Sequence, residues 1–389
     1  MKTQVAIIGG GPSGLLLSQL LNRFGIATVV LERASRKDVT SRGCPGILEP
    51  GSVDILREAG VADRLDKDGI PHEGFSLTDD NLMVRIDFHR VTGKKVVIYG
   101  EAEVTADLYA AQDALGATII HGVSDVSIMD VTTRAPYVDY TLDGARHRLD
   151  CLYVVGCDGV HGVSRETIPA EKRRAFERIY PFGWLGLRAR TPPAHQEVIY
   201  AHSRNGFALA SQHHKKQAYY AVQVPTTARV ENWSDDRFWA KLKTCLPEKT
   251  AQALVTGPSI DKSITPVRSY VGEPLRWGRL FLAGDATHIL PPTGAKGLNL
   301  ALSDVTYLYQ ALIDAVMHGK DTGVDAYSDR ALARIWTATR LSWQMTTMLH
   351  HFEGEDAFAA QMRKATLAHL ATSETARRDL AANYVGLPL

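Results

Sequence analysis

The chain has 389 residues, 45% of them hydrophobic and 22% charged, with a formal net charge of +1. That length exceeds one ordinary core and predicts two or three globular domains, while the near-zero charge excludes a whole-molecule field that would recruit nucleic acid or an anionic membrane. Four cysteines, Cys44, Cys151, Cys157 and Cys245, form no C-x-x-C pair and are too sparse for a disulfide framework, which points to a reducing cytoplasm and to no metal site.

In chain order, "TQVAIIGGGPSGLLLSQLLNRFGIATVVLER" predicts a buried strand over 4–8, a glycine turn, a helix to about Phe24 stopped by Gly25, and a second strand ending at Glu32. Its apolar start resembles a leader peptide, but Gly9 to Gly14 interrupt the run, so it is read as folded structure. "GSVDILREAG" is a further helix closed by Gly60. Strand alternation and the helix "TADLYAAQDALG" occupy 74–155, and 176–268 is richer in strands and aromatics. Beyond "RLFLAGDATHILPPTGAKGLNLALSD" the pattern is helical to the end. No segment is long enough to span a membrane. No repeat or linker is present, so the expected domains are packed and interleaved.

"LASQHHKKQAYYAVQ" (209–223) places two histidines and two lysines between strand-like flanks, which reads as a hairpin turn. Such a cluster is either a solvated turn or the wall of a pocket for an anionic or aromatic ligand.

Three motifs carry chemistry. Gly9, Gly11 and Gly14 fit G-x-G-x-x-G between a strand and a helix, where the backbone can approach a pyrophosphate at the helix N-terminus. Glu32, ending the second strand, can accept from ribose hydroxyls. "VVGCDGVHGVSR" then sets Asp158 and Gly159 after an apolar strand, and "RLFLAGDATHILPP" sets Gly284 and Asp285 after another. An aspartate beside glycine at a strand end can hold a ribityl hydroxyl, and a helix beginning near Lys296 can turn its amides toward a flavin ring. Either element alone is a common turn; the ordered set is specific.

With these motifs, and with "YPFGWLGL", "GFALASQ", "ENWSDDRFW" and "NYVGLP", the chain resembles the flavoprotein aromatic hydroxylases over essentially its whole length. The resemblance implies an α/β fold: a Rossmann-like FAD-binding domain (1–173), an interleaved β-sheet substrate domain (174–268), and a return segment with C-terminal helices (269–389) that supports a homodimer. It implies that NADPH, or NADH, reduces FAD and that O2 is then used to hydroxylate a para-hydroxylated aromatic, such as a 4-hydroxybenzoate-like acid, ortho to its phenol. Tyr200 matches the residue bonding the phenol oxygen, Tyr384 the next relay member and His72 the outlet toward solvent, a role that suits a group titrating near neutrality. Pro292 matches a carbonyl facing the substrate oxygen, and Thr293 its neighbour in the pocket. Ser13, Arg33, Arg42, Gly297, Leu298 and Asn299 match cofactor positions. Arg33, Arg42, His161, Arg165 and Arg268 match nicotinamide docking, and no second glycine fingerprint marks a separate nicotinamide domain.

The chain departs from that family at four positions. Ser211 matches a serine at the substrate carboxylate, but His213 replaces the arginine there and Ala221 a nearby tyrosine. Histidine has at most two donors and a conditional charge against the fixed fork of arginine. A substrate larger at that end, or lacking a free carboxylate, is therefore expected. Cys44 stands for an arginine at the FAD phosphates and Glu101 for a glutamine near the ring, so weaker FAD binding is expected. Alternatives are a hydroxylase of another aromatic acid such as an aminobenzoate, a hydride-shuttling reductase, or a flavin-binding protein without catalysis. A halogenase would need a W-x-W-x-I-P element that this sequence lacks.

Overall fold

The computed structural model of the protein describes residues 1–41, 45–214 and 216–387, with the backbone alone at 213 and 214. The expectations for Arg42, for Cys44 and for the His213 side chain therefore lie outside the described residues.

Runs of β-branched residues make a six-stranded sheet in the order Arg276–Trp277, Leu280–Leu282, Tyr153–Gly156, Val5–Ile8, Thr28–Glu32, Thr118–His121. Its central pairs are parallel, with Val5 opposite both Tyr153 and Thr28. A parallel sheet is covered on both faces, which is why "VAII" and "TVVLE" are buried at every position. The helix Pro12–Arg23 starts on proline, and Gly25 beyond its end takes φ +76°. Its leucines at 15, 16, 17, 20 and 21 are wholly buried.

The second large sheet has eight strands, ordered His288–Ile289, Ser259–Glu273, Arg174–Ala189, Gln217–Pro225, Gly206–His214, Val198–Ser203, Gly74–Asp79, Leu82–Asp87. It draws on 74–87 as well as on 174–289, so the interleaving reaches well before residue 174. The strands Gly206–His214 and Gln217–Pro225 pair antiparallel, as the expected hairpin requires, but the backbone at 213 and 214 belongs to the first strand and not to a turn. Because side chains alternate with period two, register sorts each strand onto two faces. One face presents Leu185, Ile199, Tyr220 and Val222 to Phe238, Trp239 and Leu242 of the helix Asp235–Cys245. The other packs Phe75, Trp184, Tyr200, Leu209 and Ala221 against Leu341, Met345, Leu380 and Tyr384 from the C-terminal helices.

A buried charge cluster ties the ends of the chain together. Glu49, Lys296 and Arg334 pack together, with Lys296 ion-paired to one Glu49 oxygen and Arg334 2.6 Å from the other. Lys296 Nζ also donates to the carbonyls of Asn383 (2.9 Å) and Tyr384 (2.7 Å), and Arg334 donates to that of Gly386 (2.8 Å). Replacing Glu49 by Gln strands two cations with one neutral partner. Loss of about 3–5 kcal/mol of unfolding free energy is expected in urea titration; a change under ~1 kcal/mol would show that the cluster does not hold the C-terminus.

Candidate active site

The first glycine turn is shaped by close approaches. Gly9 has φ +111°, and a Cβ there would overlap the carbonyl of Cys157; one at Gly14 would overlap the carbonyl of Gly9. Gly11 differs: it caps the helix Pro12–Arg23 without a side-chain bond, and nothing lies within 4 Å of a Cβ built on it. The helix N-terminus is thus open on the side where a phosphate group would bind. Glu32 is buried and accepts from Gly10 N (2.6 Å) and Ala34 N (2.7 Å), which leaves carboxylate lone pairs for ribose hydroxyls.

The other two motifs converge here. Asp158 accepts from Ser164 N and Oγ, both at 2.9 Å, through Oδ2, while its buried Oδ1 has no partner among the described residues. Burial holds this carboxyl above the usual range despite those bonds. A Cβ on Gly284, where φ is +63°, would press on Ser13 Oγ at 2.8 Å, so the first and third motifs touch. Asp285 is accessible to water yet crowded by protein. That crowding raises its carboxyl, against the pull of His288 and Arg268. The helix Gly297–His318 begins at Lys296 with no side-chain cap and with open space at Gly297. Open backbone amides, an unpartnered buried aspartate oxygen and a free edge of Glu32 fit a dinucleotide. Ser13, Glu32, Asp158, Gly159, Asp285, Gly297 and Leu298 are the groups that would hold it.

The side chain of Asn299 is engaged within the protein. Its amide donates to the carbonyls of Ile47 and Ala295, both at 2.7 Å, and its oxygen accepts from Glu49 N (2.8 Å) and Ser52 Oγ (2.7 Å). All its bonding capacity is used to clamp 47–52 onto the start of the long helix. Glu101 heads the helix Glu101–Leu115 and is half-buried.

Two tyrosines meet in the apolar interior. Tyr200 and Tyr384 are buried, and their hydroxyls lie 3.1 Å apart. Phe75 packs on both rings, edge-on to Tyr200 at 5.7 Å and nearly face-on to Tyr384 at 4.2 Å. Burial pushes Tyr200 up to about 12, against opposing effects of Tyr384 and the Gly294 amide, and holds Tyr384 well above the usual phenol range. The Gly294 amide lies within the turn that holds Pro292, whose carbonyl accepts from Ala295 N (3.0 Å). Thr293 is fully buried, and its Oγ1 has no partner among the described residues. Ser211 is buried, its hydroxyl donating to the Gln212 carbonyl (3.0 Å), and Ala221 is wholly buried on the Tyr200 face.

His72 is buried but is not bonded to either tyrosine: neither ring nitrogen makes a hydrogen bond of good geometry among the described residues. Burial lowers its pKa, while Glu197 and nearby Gln212 pull the other way and His195 reinforces the fall. Of the docking arginines, Arg165 stacks 4.6 Å over Tyr270 and Arg268 lies 3.5 Å from Glu177. Arg33 and His161 are exposed. Sequence reading passed over the pairing of Glu49 with Lys296 and Arg334, and the pair His288–Asp304. In that pair Asp304 Oδ2 meets His288 Nε2 at 2.8 Å and accepts from Gly284 N at 2.9 Å, all fully buried. The signal for Asp304 was a lone carboxylate within the apolar run "LNLALSDVTYL".

Residues 2–342 match the model of the FAD binding domain family, and the chain belongs to that family. It is 49% identical to the p-hydroxybenzoate hydroxylase of Acinetobacter baylyi over 389 residues, covering all of this chain and 96% of that protein. It is 26% identical to the 6-methylpretetramide 4-monooxygenase of Streptomyces rimosus, covering 89% and 84% of the two chains. The fold matches the crystal structure of p-nitrophenol 4-monooxygenase from Pseudomonas putida DLL-E4 over both full chains, with a TM-score of 0.85 at 18% identity. The protein is an FAD-dependent aromatic monooxygenase, as the resemblance implied. Among the described residues no helix is long and apolar enough to cross a membrane.

Two outcomes check this site. Gly14→Ala is expected to destabilise the protein even without cofactor, because its Cβ meets backbone. Gly11→Ala is expected to leave the apoprotein melting point within a few degrees while lowering FAD affinity at least tenfold; equal FAD affinity would remove the phosphate assignment. The second concerns His288, whose burial lowers its pKa but whose Asp304 partner outweighs that and leaves it raised above 6.5. A raised folded value means that the stabilisation is complete below about pH 6.5 and is lost as pH rises through that value. The stability difference between the protein and His288→Gln should shrink on the alkaline side, and a constant difference from acid to alkaline pH would refute it.

Proposed function

We propose that the protein hydroxylates a para-hydroxylated aromatic acid of the 4-hydroxybenzoate type ortho to its phenol, with NADPH as the reductant. The observation that carries this reading is the buried Tyr200–Tyr384 hydrogen bond beside the Pro292–Gly294 turn. The 49% identity to a p-hydroxybenzoate hydroxylase supports it.

FAD, when bound, would take electrons from NADPH and supply the oxygen-transfer chemistry. The chain's own residues hold the ring and manage a proton. A phenol has a pKa of roughly 10, so near neutrality its proton must be drawn off before the ring becomes electron-rich. Tyr200 accepts that proton at its hydroxyl oxygen while passing its own to Tyr384. Both side chains resist ionisation, so the hand-off proceeds without a standing tyrosinate. His72, neutral because burial lowers its pKa, takes the proton at the outer end of the path through an intervening group. The buried Thr293 hydroxyl and the Pro292 carbonyl face the reacting end, and Ser211 the para substituent.

NADPH docks over Arg165, Arg268, His161 and Arg33. Lys37 adds charge for a 2'-phosphate, whereas Arg36 is engaged bidentately with Asp113 at 3.0 and 2.6 Å. Segments 1–173, 174–268 and 269–389 supply most of the FAD-binding, substrate and return portions, with 74–87 and 288–289 joining the substrate sheet. Trp343 (46% exposed) and Phe358 (71%) on the C-terminal helices favour a homodimer, and free Cys151, Cys157 and Cys245 favour the cytoplasm.

Tyr200→Phe is expected to retain FAD and to keep ligand-stimulated NADPH oxidation, but to divert at least half of the NADPH consumed into hydrogen peroxide. Full coupling of NADPH to hydroxylated product in that variant, measured by chromatography and peroxide assay, would refute the relay.

A further inference from the structure

We infer that Tyr219 sets the length and polarity of the substrate pocket at the end remote from Tyr200, donating its hydroxyl to an oxygen-bearing para substituent. This rests on the proposed hydroxylation and names which aromatics it admits.

Register lays out that face of the eight-stranded sheet. Tyr200 is opposite Leu209, Leu209 is opposite Ala221, and Ala221 is opposite Gly186, giving one row across four strands. The neighbouring row runs from Ser211 through Tyr219 to Arg188. With strands about 4.8 Å apart, the first row spans roughly 14 Å from Tyr200 to Gly186. That is about the length of one aromatic ring with a hydrogen-bonding group at each end.

Ala221 and Gly186 leave the far half of this row nearly bare. Tyr219 fills it by leaning diagonally out of its own row. A Cβ on Gly186 would overlap the Tyr219 hydroxyl and lie 3.0 Å from both Cε2 and Cζ of its ring. The glycine is therefore what lets the ring lie there. Tyr219 is half-buried and packs against the apolar cluster that contains Tyr200, Leu209 and Ala221. The volume expected beside Ala221 is thus taken by a tyrosine two residues earlier on the same strand, and its hydroxyl lies over Gly186, at the end of the row remote from Tyr200. A neutral hydroxyl serves a carboxylate, amide or ester carbonyl alike, so the substituent needs an oxygen acceptor and little length.

The test measures dissociation constants by calorimetry on the FAD-loaded protein for 4-hydroxybenzoate, 4-hydroxybenzamide, 4-methylphenol, 4-hydroxyphenylacetate and 3-(4-hydroxyphenyl)propionate, with product analysis alongside. Tyr219→Phe should weaken 4-hydroxybenzoate and its amide roughly tenfold while leaving 4-methylphenol within twofold, a selectivity that a purely structural role would not produce. Tyr219→Ala should shift preference at least tenfold toward the two longer acids. Equal weakening of all ligands, or no weakening, in the Phe variant overturns the inference, and that variant decides the matter even if Tyr219→Ala loses its fold. Binding with the stated selectivity but without hydroxylated product would refute the proposed reaction and leave this inference standing. Failure of every ligand to bind the parent protein would refute both.

Discussion

The buried carboxylate of Glu49 faces two cations, and the geometry of the reacting centre depends on it. Lys296 reaches past that carboxylate to the carbonyls of Asn383 and Tyr384, so the last helical turn is anchored to the start of the Gly297–His318 helix. Asn299, one turn on, spends all four of its bonds on the same junction. Tyr384 is thereby delivered to Tyr200 from a segment 184 residues away. Burying three charges is costly, and apolar replacements of the same shape often serve stability as well. Here the charges supply direction: an ammonium that must find several oxygens tolerates little slippage of the segment it holds.

Around that anchor the interior is kept deliberately free of ionised tyrosine. Burial, reinforced at Tyr384 by Tyr200 and by the Glu49 carboxylate, moves Tyr200 and Tyr384 away from ionisation, and the aromatic packing of Phe75 and Phe88 excludes the water that would screen a charge. The same desolvation keeps His72 neutral. The proposed relay would therefore run through groups that are neutral at rest.

The second architectural device is the alternation of the eight-stranded sheet. One face is spent on the helix Asp235–Cys245, and the other packs on the C-terminal helices and carries the proposed substrate pocket. Small residues at 186 and 221 on that second face make room, and the neighbouring row supplies a ring to occupy part of it.

Much of this was legible beforehand because it is local. The strand, glycine turn and helix of residues 4–32 follow from buried β-branched runs, a proline at the helix start and glycines whose Cβ would strike backbone. The hairpin at 209–223 follows from its polar turn between alternating flanks. The phosphate-facing glycines and the aspartates at strand ends were readable for the same reason, since each motif is contiguous. Tyr200, Tyr384, Pro292 and Ser211 were reached only through whole-chain resemblance, because nothing adjacent in sequence marks them. The pairing of Glu49 with Lys296 and Arg334, and of His288 with Asp304, escaped altogether, because each is a single residue whose partner lies 16 to 285 residues away.

What the sequence by itself determined, then, is the dinucleotide cradle and the alternation of elements, because backbone sterics and hydrophobic period act over a few residues. The tertiary structure alone decided which tyrosine meets which, where the buried carboxylates find their cations, and that the space beside Ala221 is filled from Tyr219. Those outcomes depend on the register of neighbouring strands and on the approach of distant segments. A one-residue shift in either would turn every side chain on the pocket face to the other side of the sheet.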